Sequence, residues 1–112
     1  MVVANQIIRI VLTDEVHALC FPKHVDLFVG DTVQFVPVPE NLGFRVEIDG
    51  SPFSDKPALV ITDQNPRTLQ TPGHFFWKCF LTREDGVEVG WFFGEDPESG
   101  GDPDVRPRPP GM

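Results

Sequence analysis

The sequence predicts an all-β domain, a two-sheet sandwich or a barrel of about eight strands, on three observations. Apolar residues alternate with polar ones in short runs, the mark of half-buried strands. Turn formers interrupt those runs at close spacing, and no segment keeps a helical period over three turns. A chain of 112 residues has room for one core. Its 40% hydrophobic content, with ten Phe and two Trp, is enough to fill that core without a metal.

The elements follow in order. Ile8, Ile10 and Leu12 share one face of a first run, and Val16, Ala18 and Cys20 share one face of a second. Val25, Leu27 and Val29 lead into the turn pair Gly30-Asp31, and Val33 and Phe35 then alternate with Thr32 and Gln34, giving strand, turn, strand. Pro37 and Pro39 lack backbone donors and are expected to end the pairing, which makes 39–43 a loop. Phe44, Val46 and Ile48 resume the alternation with Arg45 and Glu47 outward, until Asp49-Gly50 closes the strand. Residues 51–57 read as loop, Ala58 to Thr62 as a short strand and 63–66 as turn.

The clearest pattern lies in 74–94. Phe75, Trp77, Cys79 and Leu81 fall on one face, Arg83 to Gly86 form a polar turn, and Val87, Val89, Trp91 and Phe93 fall on one face of a second strand. A core-lining hairpin is predicted. Phe76, Phe80 and Phe92 lie on its opposite face, so this face is either covered or is a binding surface, and these three are the candidate contact residues. The domain is expected to span 1–94. From Glu95 to the end, 95–112, an acidic Pro/Gly-rich composition offers little to bury, and a disordered tail is predicted.

Two stretches carry a family resemblance. CFPKHVDLFVGDTVQF at 20–35 and PGHFFWKC at 72–79 resemble the cupredoxins, the plastocyanin-like copper proteins, and with the strand at 44–50 the similarity covers most of 6–94. The resemblance implies a Greek-key, cupredoxin-like sandwich. It also implies a copper site of two imidazoles, a thiolate and a weak axial Met, a set whose soft sulfur and nitrogen suit copper. Cys79 stands where the thiolate belongs. Leu42, Gly43, Phe44 and Arg45 stand where the first His belongs; Phe80, Leu81, Thr82 and Arg83 follow Cys79 in place of the second; Gly86 to Val89 replace the Met. His17, His24 and His74 are not in ligand spacing with one another.

The expected cofactor is therefore none and the expected metal residues none, with a non-standard copper and electron-transfer site including Cys79 as the alternative. Oxygen ligands from Glu84, Asp85 or Glu88 are conceivable there. An immunoglobulin-like sandwich is the rival fold, since the Cys20 to Cys79 separation suits an intersheet disulfide; the Trp expected after its first Cys is missing. The two cysteines are either a disulfide or buried thiols, and the sequence does not choose.

Charge narrows the partners. Seventeen acidic against nine basic residues give a net charge of −8, which repels phosphate backbones and anionic lipid, so neither nucleic acid nor membrane is expected. A protein partner or self-association is the expected contact. No phosphate-binding glycine loop joins a strand to a helix, and no nucleophile, base and acid are drawn together by the pattern, so no enzymatic role is expected. The Arg-Pro-Arg-Pro-Pro run at 106–110 favours polyproline II and is a weak docking signal. With no signal peptide visible, a cytoplasmic location is the expectation for a full-length chain.

Overall fold

The computed structural model describes residues 4–14, 17–50, 52–53, 60–90 and 100–107. These residues form eleven strands and no helix: β1 Asn5–Leu12, β2 Ala18–Phe21, β3 His24–Phe28, β4 Thr32–Val38, β5 Gly43–Asp49, β6 Val60–Ile61, β7 Arg67–Thr68, β8 Gly73–His74, β9 Phe76–Thr82, β10 Glu88–Gly90 and β11 Gly100–Arg106. A four-stranded sheet runs β2-β1-β4-β7. A seven-stranded sheet runs β3-β11-β9-β5-β6, with β10 on β9 and β8 on β11. Both sheets are mixed, because β1 lies parallel to β4 and β3 parallel to β11. The all-β sandwich reading stands, and no helix among the described residues is long and apolar enough to cross a membrane.

Alternation decides which side chains enter the space between the sheets. Ile8 and Ile10 from β1, Val33 and Phe35 from β4, Val46 and Ile48 from β5, and Trp77, Cys79 and Leu81 from β9 are all buried. Phe35 meets Trp77 edge-to-face, with ring centroids 5.0 Å apart and planes at 85°, so the largest side chain of each facing strand interlocks across the sandwich.

The Gly30-Asp31 turn is fixed from both sides. Gly30 adopts a φ of 100°, and the buried Asp31 carboxylate accepts from the Phe28 amide at 3.0 Å and the Ala4 amide at 3.1 Å. The backbone of Asp31 also accepts from Leu69 N at 2.8 Å. One residue thus ties the start of β1, the end of β3 and the segment after β7 to the same corner. A buried carboxylate meeting several backbone amides has its polar cost offset.

The structure departs from the sequence expectation at three places. Eleven strands replace about eight, because β7, β8 and β11 are too short or too poor in apolar residues for alternation to reveal. Pro37 does not end the pairing: it lies inside β4, buried and opposite Ile10. Past Val33, β4 has a partner on one edge only among the described residues, and an edge tolerates a residue that cannot donate.

The third departure is the tail. The segment expected to be disordered from Glu95 supplies β11 over 100–106, so the sandwich extends past residue 94; residues 95–99 and 108–112 lie outside the described ones. Composition does not reveal the ladders that hold β11, parallel to β3 and antiparallel to β9 and β8, nor that Pro103 and Val105 are buried in the sandwich. Its glycines help. Gly101 lies so close over Trp77 that a Cβ there would overlap the indole nitrogen. Pro103 O accepts from Phe75 N at 3.0 Å, and the donor Pro103 lacks would point to the same side, at the break between β8 and β9. Val16, Ala58, Leu59, Trp91 and Phe93 also lie outside the described residues.

Candidate functional site

Two places draw the residues that the sequence marked, one on each face of β9. On the inner face, β9 points Cys79 between the sheets, and β2 of the opposite sheet points Cys20 toward it. Both thiols are free and buried in the same core cluster. Burial pushes the Cys79 pKa well up, and the neighbouring Cys20 pushes it further, so Cys79 is held as a neutral thiol. Gly90, at a φ of 132°, brings β10 directly against the Cys79 carbonyl, where a Cβ would not fit.

Metal chemistry needs ligands that converge, and here they diverge. Phe80, Leu81 and Thr82 continue the β9 ladder past Cys79, so strand and not a ligand loop directly follows it. On β5, where an imidazole would be needed, Gly43 opens the strand, Phe44 is buried and Arg45 points outward. The three histidines are exposed and scattered. His17 Nδ1 lies 2.9 Å from Asp14, His24 sits between Asp102 at 3.3 Å and Asp26 at 3.5 Å, and His74 lies on β8, a strand separate from that of Cys79. Among the described residues, no group of three or more His, Cys, Asp or Glu is placed to hold a metal ion.

The outer face of β9 packs differently. Arg45 stands opposite Phe80 in the β5–β9 register and lays its guanidinium 4.0 Å from the Phe80 ring centroid. The same guanidinium donates to both Glu88 oxygens, at 2.7 and 3.2 Å, and also to Glu47. Hydrogen bonding to Glu88 raises the Arg45 pKa further and outweighs the opposing effect of burial. Phe80, expected as a surface contact, is instead 3% exposed: it is covered by Arg45. Phe76 is half-buried and borders a shallow depression of about 200 Å³ with Glu47, Ile48, Asp49 and Lys78. Phe92 lies outside the described residues.

The Arg45–Glu88 clamp was not anticipated. Its only trace in the sequence is the outward phase of Arg45 and Glu47, since pairing with Glu88 depends on β5 and β10 both lying beside β9.

No protein-family model matches the chain, and no curated protein matches it. Among solved structures, the chain is similar to a cysteine protease inhibitor from Entamoeba histolytica, with a TM-score of 0.41 and 15% identity over 95% of this chain and 97% of that one. So loose a likeness assigns neither family nor activity, and the fold class rests on the strands themselves.

Proposed function

We propose that the chain is a copper-free, cupredoxin-like sandwich that works as a binding or assembly module, in contact with a protein partner or with a second copy of itself. The observation that carries this reading is the setting of Cys79: a neutral thiol in the middle of a strand, packed between Trp77 and Leu81 on its own face. A sulfur so placed fills the core. The resemblance at 20–35 is supported by the Gly30-Asp31 turn leading into β4, and that at 72–79 by β9 running centrally through the larger sheet.

The contact surface in this reading is the outer face of β5 and β9. Phe76 supplies apolar area, while Arg45, Glu47 and Lys78, with Glu88 from the adjoining β10, supply charges of both signs, a composition suited to a polar protein surface rather than to a nucleic acid or an anionic membrane. Phe80 contributes by supporting Arg45, and Phe92 is the third candidate. Metal analysis of freshly purified protein tests the reading, together with replacement of His17, His24 and His74 by Ala. No stoichiometric copper and an unchanged fold in the triple variant are expected; one bound copper per chain, lost in the triple variant, would refute it.

A further inference from the structure

Cys20 and Cys79 belong to strands of different sheets, β2 and β9, which pack face to face with Cα atoms approaching within 8 Å. Both side chains point into the same core cluster, at 1% and 0% exposure, and Cys20 is near enough to perturb the Cys79 thiol. Two sulfurs facing each other across a sandwich are placed to be joined, and the join would tie positions that lie roughly 60 residues apart in the chain.

We propose that Cys20 and Cys79 form a thiol–disulfide exchange site, closing into an intersheet disulfide when the chain folds or opens in the presence of a low-molecular-weight disulfide such as oxidised glutathione. The proposal is independent of any family membership. One protein thiolate attacks the small disulfide, breaking its S–S bond, releasing one small thiol and leaving a mixed disulfide on the protein. The second protein thiolate then attacks the protein sulfur of that mixed disulfide and displaces the second small thiol. The new bond joins Sγ of Cys20 to Sγ of Cys79. Two electrons pass to the oxidant, and the two protons lost by the cysteines end on the released thiols.

Burial governs the rate. The thiolate is the attacking species, and desolvation keeps Cys79 protonated, so exchange waits until the sheets part. Once closed, the bond is out of reach of reductant for the same reason. The chain therefore has two long-lived forms, dithiol and disulfide, set by the redox conditions under which it folded.

The test uses the full chain, incubated with oxidised glutathione in urea just below the unfolding midpoint, returned to buffer, alkylated after denaturation and mapped by mass spectrometry. A cross-linked peptide pair containing Cys20 and Cys79 is expected, with the melting temperature of the oxidised form raised by roughly 10 °C or more. Recovery of folded protein with both cysteines alkylated, or carrying glutathione instead of each other, would overturn the proposal. In the Cys20→Ala variant, Cys79 should be recovered only as thiol or mixed disulfide; the map of the unaltered chain decides the matter even if that variant fails to fold.

Discussion

The two faces of β9 share one backbone and differ in almost everything else. Inward, Trp77, Cys79 and Leu81 are fully buried among apolar neighbours. Outward, Phe76 and Lys78 are half-buried, and Phe80 is sealed by a guanidinium that also serves two carboxylates. The inner face is held by close packing, where a lost group leaves a void or an unpaired atom. The outer face is held by charges and a stacked ring that water can partly replace. The same thiol would be a reactive group on the second face and is shielded on the first for as long as the sheets stay packed.

Substitutions should register that contrast. Trp77→Ala should cost about 3–5 kcal/mol, since it removes the ring that meets Phe35 and underlies Gly101, and urea unfolding would read it. Gly101→Ala should cost about 1–3 kcal/mol, because its methyl group overlaps the indole and forces β11 off the sheet. An unchanged midpoint for Gly101→Ala would mean that β11 does not lie against Trp77.

On the outer face, Arg45→Ala should cost about 1 kcal/mol. It uncovers Phe80 and leaves Glu47 and Glu88 without their shared cation, and the cost should shrink at high salt. A salt-independent loss as large as that of Trp77→Ala would erase the distinction between the faces.

The smallest effect belongs to His24, on the edge strand β3. Desolvation is the largest single influence and lowers its pKa, but hydrogen bonding and charge from Asp102, with Asp26 adding to them, together outweigh it and raise the value above 6.5. The folded state therefore holds this proton more tightly. The contribution is full below about 6.5, fades as pH rises through the raised value and should be reduced in Asp102→Asn, which keeps the backbone acceptor and the Asp26 charge, in a pH series of melting curves.

Legibility in the sequence followed how strongly each residue depends on its own strand. Ile8, Val33, Val46 and Trp77 announce their burial by alternation, and Gly30-Asp31 announces its turn by composition; all were readable. The strand at 100–106 was not, because Gly100, Gly101 and Pro103 read as breakers until β3 and β9 provide ladders and Trp77 provides a floor that only glycine fits. At the candidate site, Phe76 and Phe80 were correctly phased to the outer face. The cover over Phe80 was hidden, since it comes from Arg45 on β5 and is fixed by Glu88 on β10. The partner of Cys79 was hidden likewise: Cys20 reaches it only because β2 and β9 face each other across the core.

The central claim is that Cys79 is a core thiol and not a copper ligand. Titration of the reduced, folded protein with Cu(II), followed by visible absorption, addresses it most directly. No thiolate-to-copper charge-transfer band should develop while the fold persists, and Cys79→Ser should give the same spectrum. An intense band that saturates at one ion per chain and disappears in Cys79→Ser would contradict the claim.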